Sequence, residues 1–403
     1  MVTRVTNTML QNTLLSNLSM NLSRMDKLQN QMSSGRKFGH ISDDPSALIY
    51  GQAARNKLAR LSHYQATVET AQSWLTQAEA GIMELNKVVG AIYEEIVSAG
   101  SVKTDGDKQN LAMVVKQLQD HYLDTLNTSY GDRFVFGGYN TPGDYAQNRD
   151  PAIKPFTIVD EPDADGNMRP NLLFNGFNLT QFDGMDSKAF QDLFRGTDIS
   201  GLNAEGARAA ILTTAGINPL DPGADADFET QFGFTIDDAV VMNRLINDVL
   251  TFDVGAGISM PVTQNGIDVV FFTAANELGQ PIIRNTFDLI HDVYIAINGD
   301  ADATPPKTPA TTDELTKLIG LVQEAQNHLL TRTAEIGGRQ RRLELLEARY
   351  AQDNLNYEGM RSDAEDADMA EVIMFLKMSE TVYQAALSAG ARIIQPTLMD
   401  FLR

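Results

Sequence analysis

The sequence of 403 residues contains no cysteine. It therefore cannot form a disulfide, a thiolate nucleophile or a cysteine-ligated metal site. It also lacks any run of about 18 apolar residues, so it predicts no membrane-spanning helix. Residues 1–18 have no basic segment followed by an apolar one, and we expect no secretory signal peptide there. If the protein leaves the cell, we expect another export route.

Positive charge is scarce as well. Lysine and arginine number 32 against 53 aspartate and glutamate residues, which gives a net charge of −21 at pH 7. Such a surface repels the phosphate backbone, so we expect no nucleic-acid partner. The acidic excess is concentrated in residues 150–283, which hold 20 acidic and 6 basic residues. This middle segment therefore differs in character from both ends.

The chain shows no constellation typical of catalysis or ligand binding. It has no nucleophile elbow, phosphate-binding loop or dinucleotide fingerprint. The five histidines lack the spacing of a helical zinc site and are interpreted as surface or core residues. Residues 161–166 resemble the start of a calcium loop, but the twelfth position, Leu172, offers no carboxylate. We therefore predict that the protein is not an enzyme and has neither a cofactor nor a metal.

A long apolar stripe lies near the end of the sequence. Every seventh residue from Leu315 to Ala364 is apolar or aromatic, which is typical of a long helix that packs on partners along its length. The stripe changes phase before Met369. We expect one helix of about 75 residues that reaches about 110 Å. It should have a weak point at Gly337-Gly338 and end before Pro396.

Three more helices are predicted in the first third of the chain. Residues 7–34 place leucine and methionine on one face, and Gly35 then ends the helix. Asp44 followed by Pro45 is a strong helix start. Apolar residues then alternate at steps of three and four for about fifty residues. A third helix is expected over about residues 107–128.

The middle of the chain has strand and turn signals instead. Residues 133–139 alternate like a strand. The pairs Asn175-Gly176 and Asn265-Gly266 each lie between apolar runs, which is typical of a two-residue β-hairpin.

Short helices are expected near residues 204–213 and 237–250, and another helix begins at Phe287. The segment 150–283 holds 12 of the 18 phenylalanines. We interpret it as a compact α+β lobe with its own phenylalanine core.

The order of these elements predicts the architecture. Because helical ends bracket a globular middle, the terminal helices should pair with each other. The predicted fold is mainly α with an α+β insert: an extended antiparallel helical bundle or coiled coil plus a small globular domain. Five segments are predicted. They are an N-terminal assembly helix and turn (1–42), the first part of a helical stalk (43–149), a variable lobe (150–283), the second part of the stalk (284–365) and a C-terminal assembly helix (366–403).

Several motifs resemble those of a known family. The turn at residues 33–37 and the helix start at 42–45 are similar to the N-terminal motif shared by flagellins and hook-associated proteins. The segment 131–141 is similar to one that marks the hook-filament junction members of this flagellin superfamily, and the acidic opening at 365–371 with the ending 396–402 points the same way. The motif residues are Ser42, Asp43, Asp44, Pro45, Phe134, Phe136, Gly137, Gly138 and Tyr139.

The resemblance implies a structural protein of the bacterial flagellum. It implies an adaptor at the hook-filament junction, which serves motility and reaches the outside of the cell through the flagellar type III export apparatus. The implied partners are further copies of itself, hook-associated protein 1, flagellin and a cytoplasmic export chaperone. An alternative within the superfamily is flagellin, the filament subunit. Alternatives from other classes are an enzymatic or ligand-binding lobe at 150–283 and an unrelated coiled-coil scaffold.

The apolar ends of the chain suggest how such a protein would assemble. In a single molecule the terminal helices are expected to bury too little surface to offset the entropy of ordering them. Association would then stabilise them. The predicted contact residues are Leu14, Leu18, Leu22, Met25, Ile373, Leu376, Tyr383, Leu387, Ile394 and Phe401.

Overall fold

The computed structural model describes residues 7–40, 42–101, 104–131, 133–138, 154–162, 168–247, 249–276, 278–299 and 308–394. This part of the chain is mainly helical and carries four small antiparallel sheets. The predicted class, mainly α with an α+β insert, is confirmed. The chain divides into two compact units, Met1–Gln65 with Glu347–Arg403, and Ala66–Leu346. The finer division into five segments stays a prediction.

Most of the predicted elements are present. The helices are α1 (Asn7–Ser34), α2 (Pro45–Ala99), α3 (Asp105–Leu126), α4 (Ser187–Phe194), α5 (Ala204–Thr214), α6 (Ala224–Phe232), α7 (Ile236–Asn247), α8 (Gly266–Val270), α9 (Thr286–Asn298), α10 (Thr312–Glu365) and α11 (Met369–Ile394). The strands are β1 (Ser129–Tyr130), β2 (Arg133–Phe134), β3 (Phe156–Pro162), β4 (Met168–Phe174), β5 (Phe177–Asn178), β6 (Thr251–Gly255), β7 (Ile258–Pro261), β8 (Phe271–Ala275) and β9 (Pro281–Asn285). The patterns predicted α1, α2, α3, α5, α7, α9 and the start of α10, and missed α4, α6 and α8.

The prediction of one uninterrupted C-terminal helix is wrong. Helix α10 ends at Glu365 and α11 begins at Met369. Asp368 starts the second helix, because its Oδ1 accepts hydrogen bonds from the amides of Ala370 (2.9 Å) and Glu371 (3.3 Å). The change of phase in the apolar stripe marks this break. Helix α10 runs without interruption through Gly337-Gly338.

One of the two predicted hairpins is confirmed and the other is wrong. Strands β4 and β5 pair directly on either side of Asn175-Gly176, with Phe174 opposite Phe177. At the second site Asn265 caps a helix instead, because its Oδ1 accepts a hydrogen bond from the amide of Ile267 (3.0 Å). Asparagine suits both a hairpin turn and a helix N-cap, so the dipeptide alone did not distinguish them.

The predicted strand at 133–139 is also shorter than expected. Only Arg133–Phe134 pairs, with β1, and a turn follows. Gly138 has φ +68, a backbone region that ends an extended strand. Tyr139 lies outside the described residues.

The apolar stripes pack against each other in the second unit. Helices α2 and α10 are antiparallel: Gln340 Nε2 donates to Glu79 Oε2 (2.9 Å), and Gln323 Nε2 lies 3.4 Å from the Tyr93 hydroxyl. The α2 residues between them, such as Ile82, are fully buried. The α10 positions at seven-residue spacing are buried as well, namely Leu315, Val322, Leu329, Ile336 and Leu343.

Phenylalanine fills the core between α4, α6 and α7, as predicted. The ring centroids of Phe182 and Phe234 lie 4.6 Å apart, and those of Phe190 and Phe194 lie 4.9 Å apart. Phe182, Phe194 and Phe228 are fully buried. Edge-to-face pairs such as these add stabilisation beyond their buried area.

A buried polar cluster lies at the start of α9. The carboxyl group of Asp288 accepts a hydrogen bond from the Thr180 hydroxyl at 3.3 Å. Burial, and then the negative charge of Asp183, raise the pKa of Asp288 to about 8. Two guanidinium groups hold the neighbouring carboxylates, since Arg284 contacts both Asp183 (3.2 Å) and Asp292 (2.8 Å) and Arg169 also pairs with Asp292. Burial thus favours the neutral form of Asp288, while its neighbours form ion pairs.

Two of the histidines make ordinary structural contacts. His121 Nε2 lies 3.3 Å from Glu84 Oε1, and His328 Nε2 lies 2.7 Å from the carbonyl oxygen of Asp268. Burial lowers the pKa of His328. Over the described ranges no group of three His, Asp or Glu side chains could hold a metal ion. None of the helices described is long and apolar enough to cross a membrane.

Candidate interaction surface on the terminal helices

Helices α1 and α11 pack against each other along an antiparallel seam. On α1 the less exposed positions recur at steps of three and four and include the buried Leu28, and on α11 the buried apolar positions are Val372 and Leu376. Leu28, Val372 and Leu376 form a buried apolar cluster, in which each side chain is 7–8% exposed. The row on α1 is Leu14, Leu18, Asn21, Met25 and Leu28, and the row on α11 is Val372, Leu376, Ser379, Tyr383, Ala386 and Gly390.

Small and polar residues bring the two helices close together further along the seam. Asn21 Nδ2 donates to the carbonyl oxygen of Ser379 at 3.3 Å. A Cβ atom at Gly390 would lie only 2.7 Å from Cδ2 of Leu14. Glycine and serine therefore allow an approach that larger side chains would prevent, but they bury little apolar area.

The N-terminal turn contacts the break between α10 and α11. The amide of Lys37 donates to the carbonyl of Glu365 at 2.7 Å, and the amide of Ala367 donates to the carbonyl of Gly35 at 2.9 Å. Arg36 and Asp366 form an antiparallel bridge between these two bonds. Two motifs from opposite ends of the sequence thus form one structural feature.

Acidic side chains hold the turn in place. Asp43 accepts hydrogen bonds from Lys27 Nζ (3.0 Å) and from the His40 amide (3.2 Å), and these contacts lower its pKa. Asp44 Oδ1 accepts from the amide of Ala47 (3.0 Å) and from Ser46, which caps α2 as predicted and lowers the pKa of Asp44. The motif residues Asp43 and Asp44 therefore order the turn and start the next helix.

A buried carboxylate lies at the same junction. The side chain of Glu365 is only 7% exposed and pairs with Arg55. A Cβ atom at Gly51 would lie 2.8 Å from Cγ of Glu365, so glycine at this position leaves space for the carboxylate. Removal of Arg55 would leave a buried charge without its partner.

Outside the seam, the terminal helices leave apolar side chains exposed. On α11 Met374 and Met378, four residues apart, are 58% and 51% exposed. Residues at this spacing lie along one row of a helix. The exposed apolar face, as we call it, comprises Leu15, Met20 and Leu22 on α1 and Ile373, Met374, Met378, Val382 and Leu387 on α11.

The structure divides the ten predicted contact residues into three groups. Buried or half-buried in the α1–α11 seam are Leu14, Leu18, Met25, Leu376 and Tyr383. On the exposed apolar face are Leu22, Ile373 and Leu387. The side chain of Ile394 and all of Phe401 lie outside the described residues. The periodicity did not single out Met374 and Met378, because the wide apolar face of α11 offers several possible rows.

The motif at Phe134 to Gly138 lies in the second unit and has a packing role. Phe136 is fully buried, and a Cβ atom at Gly81 would lie 2.8 Å from its ring. The carbonyl of Phe136 accepts a hydrogen bond from the amide of Gly266 at 3.0 Å. Asn127 completes the site, because its side chain exchanges two hydrogen bonds of 2.9 Å with the backbone of Phe156.

The N-terminal part of the chain matches a known family. The family model described as the bacterial flagellin N-terminal helical region matches residues 5–141. The flagellar hook-associated protein 3 of Salmonella typhimurium is 28% identical over 117 residues, which is 28% of this chain and 37% of that protein. The flagellar filament 30.7 kDa core protein of Treponema maltophilum is 28% identical over 91 residues, or 22% of this chain and 32% of that protein.

A solved structure with a related description covers more of the chain. The flagellar junction protein FlgL of Legionella pneumophila aligns with 80% of this chain and 100% of its own, at 12% identity and a TM-score of 0.45. The chain spans only 37% of the length of the first curated relative that it matches, the hook-associated protein 3 of Salmonella typhimurium. The predicted resemblance to the flagellin superfamily, and within it to hook-associated protein 3, is confirmed.

Proposed function

We propose that this protein is a structural component of the bacterial flagellum and acts as an adaptor at the hook-filament junction. The observation that carries the proposal is the meeting of the two terminal motifs, through the hydrogen bonds of Gly35 with Ala367 and of Lys37 with Glu365. Both belong to the motifs on which the resemblance rests. The similarity to hook-associated protein 3 of Salmonella typhimurium supports the same role. The role requires no enzymatic activity.

The exposed apolar face supports self-assembly as the mechanism. In the described part of the α1–α11 seam there is a small buried cluster, and several large apolar side chains of the same helices are exposed. Burial of a leucine or methionine side chain contributes about 1.5–3 kcal/mol. Contact between these faces in adjacent copies would therefore stabilise helices that one molecule stabilises weakly.

We assign four classes of partner to this role. Further copies of the chain would contact the terminal helices, with hook-associated protein 1 on the hook side and flagellin on the filament side. A cytoplasmic chaperone would cover the same apolar residues before type III export. The protein would act outside the cell, in the flagellum.

Deletion with complementation tests the junction role. Cells without the protein should build hooks and release flagellin into the medium, and the wild-type chain should restore filaments. Continued filament assembly in the deletion strain would contradict the adaptor role.

Charged substitutions test the surface. The double variant Met374→Lys, Met378→Lys should fail to restore filaments, because it places two charges on the exposed apolar face. Met113→Lys is the matched control, since Met113 is 65% exposed on α3 in the second unit. Hydrogen exchange on α1 should be the same in all three chains, which would exclude misfolding as the cause.

The filament subunit is the second candidate. The similarity to the filament core protein of Treponema maltophilum favours it. Quantity separates the two roles: a junction protein should be a trace band in sheared flagella, whereas a filament subunit should be the main one.

A further inference from the structure

Sulfur occurs in this chain only as the thioether of methionine, since the sequence holds 16 methionines and no cysteine. A peroxide that meets the protein therefore finds no thiol, and the sulfur that it oxidises is that of methionine. Seven of the 16 lie on the two terminal helices, namely Met9, Met20, Met25, Met32, Met369, Met374 and Met378. Sulfur is thus concentrated in the helices that carry the candidate interaction surface.

The structure separates methionines that solvent reaches from those that it does not. Met374 and Met378 are exposed on α11. Met242 and Met260 in the second unit are buried, and Met25 is half-buried beside the small cluster of the α1–α11 seam. A dissolved oxidant therefore meets Met374 and Met378 directly. It reaches Met242 and Met260 only when the fold opens locally.

Met374 and Met378 form the middle of an exposed row on α11. The row continues at the same spacing of four residues to Ala370 on one side and to Val382 on the other, and all four side chains are exposed. No member of the row carries a charge, so the row offers a partner apolar contact. Methionine suits such a surface, because its unbranched and polarisable side chain adapts to the shape of the partner.

We propose that Met374 and Met378 form a reversible oxidation site, at which a peroxide removes the apolar character of the exposed apolar face. A lone pair of the thioether sulfur attacks one oxygen of hydrogen peroxide, so a sulfur–oxygen bond forms as the oxygen–oxygen bond breaks. The released hydroxide takes the proton of the new hydroxyl group and leaves as water. The sulfur loses two electrons, the peroxide gains them, and the product is methionine sulfoxide. A methionine sulfoxide reductase, with a thiol as reductant, reverses the step.

The sulfoxides change association rather than the fold of one molecule. Each sulfoxide oxygen is an acceptor that water satisfies, and a neighbouring molecule that covers it with apolar side chains leaves it without a hydrogen bond. The seam stays intact, because its buried cluster consists of Leu28, Val372 and Leu376 and contains neither methionine. The effect rests on the proposed function, in which adjacent copies cover the exposed apolar face.

Peptide mapping of the oxidised chain tests the site. The folded full-length protein is treated with hydrogen peroxide, and sulfoxide formation at each methionine is followed by mass spectrometry. Met374 and Met378 should react at the rate of Met113, which is exposed in the second unit. Their reaction should be at least about tenfold faster than that of Met242 and Met260, since buried sulfur reacts only after local opening. Rates as low as those of the two buried methionines would overturn the proposal.

Self-association measures the consequence. Sedimentation velocity gives the dissociation constant of each chain before peroxide treatment and after Met113 is fully converted. The constant of the wild-type chain should rise at least about tenfold, which corresponds to about 1.4 kcal/mol, and a methionine sulfoxide reductase should restore it. In the double variant Met374→Leu, Met378→Leu the same ratio should stay below about twofold, because leucine has no sulfur and every other exposed methionine still reacts.

Two controls assign the effect to the exposed row. Met113→Leu removes an exposed methionine of the second unit and should leave self-association as sensitive to peroxide as in the wild-type chain. Oxidation should change hydrogen exchange on α1 equally in the wild-type chain and in the double variant, because Met374 and Met378 lie outside the buried cluster of the seam. Equal weakening of association in these two chains, or faster exchange on α1 in the wild-type chain alone, would overturn the proposal.

The map and the association measurement separate this site from the proposed function. An untreated chain that does not self-associate would contradict the assembly role and, with it, the effect of the sulfoxides on association. A chain that associates equally well before and after oxidation would support the assembly role and overturn the oxidation switch. Slow oxidation of Met374 and Met378 would overturn the site alone.

Discussion

The amide of Ala367 donates a hydrogen bond of 2.9 Å to the carbonyl of Gly35. Gly35 ends α1 with φ +71, and Ala367 lies in the break between α10 and α11. The left-handed backbone of Gly35 thus directs the chain from the end of α1 towards the start of α11. This relationship explains why a glycine and a helix break occur at these two places.

The variant Gly35→Ala should weaken this contact. An alanine at φ +71 costs about 1–2 kcal/mol, although a Cβ atom at this position would meet no atom within 4 Å. We expect faster hydrogen exchange at the amides of Lys37 and Ala367. Gly39→Ala is the control, because its surroundings are equally open and its φ is not positive. Equal effects of both variants would contradict the role of the left-handed backbone.

Leu376→Ala should destabilise the α1–α11 pair. Leu376 belongs to the buried cluster with Leu28 and Val372, and truncation of a buried leucine costs about 2–5 kcal/mol. Hydrogen exchange on α1 should accelerate accordingly. Met378→Ala, two residues away on the exposed apolar face, should change the free energy of unfolding by less than about 0.5 kcal/mol. If both variants loosened α1 equally, the assigned seam would be wrong.

Gly266→Ala should destabilise the second unit. A Cβ atom there would lie 2.6 Å from the carbonyl oxygen of Phe136 and 2.7 Å from Cε2 of the Phe156 ring. Overpacking of this kind costs about 1–3 kcal/mol. Urea unfolding followed by the fluorescence of the single tryptophan, Trp74, measures the effect, because Trp74 is buried in this unit.

Gly320→Ala is the matched control for that variant. Gly320 lies inside α10, and a Cβ atom there meets nothing within 4 Å. Alanine should stabilise the helix by up to about 1 kcal/mol. A stabilising effect at both glycines would show that the Phe136 turn is not tightly packed.

The buried cluster at Asp288 should make stability depend on pH. The pKa of Asp288 is raised by burial to about 8 in the folded chain, against 3.8 as the ordinary value. The stability contributed by the neutral carboxyl group is therefore fully present below about pH 4 and is lost as the pH rises to about 8. Within this window the loss is about 1.4 kcal/mol per pH unit.

The variant Asp288→Asn tests this pH dependence. Asparagine cannot ionise and can still accept the hydrogen bond from Thr180. Its gain in free energy of unfolding over the wild-type chain should grow with pH up to about 8 and then stay constant. Asp253→Asn is the control, because Asp253 is exposed on β6. A gain that does not change with pH would show that the pKa of Asp288 is not raised in the fold.

Sequence patterns located the helices well because an apolar period persists over many residues. In α2 the period from Leu61 to Ile96 corresponds to a buried stripe. The short elements were harder. Helices α4, α6 and α8 are too short for an apolar period to emerge. The pair Asn265-Gly266 is compatible with both a hairpin turn and a helix N-cap.

The functional surface was predicted only in part, for a related reason. Leu376 and Ile373 are both apolar and lie on the same helix, yet one packs on α1 and the other is exposed. Periodicity shows that a face is apolar, but it does not show which row meets the partner helix. The sequence showed the motifs at residues 33–37 and 365–371 separately. Their contact depends on the tertiary packing of the C-terminal segment against the N-terminal one.

The amino-acid sequence alone determined where most long helices begin, that phenylalanine is concentrated in the middle of the chain, and which superfamily the chain resembles. These properties follow from local spacing, capping residues and composition. The tertiary structure decided which apolar residues are covered, that Glu365 is buried beside Arg55, and that Asn175-Gly176 forms a hairpin turn whereas Asn265 caps a helix. The reason is that burial and hydrogen bonding depend on residues far apart in the sequence, which no local pattern specifies.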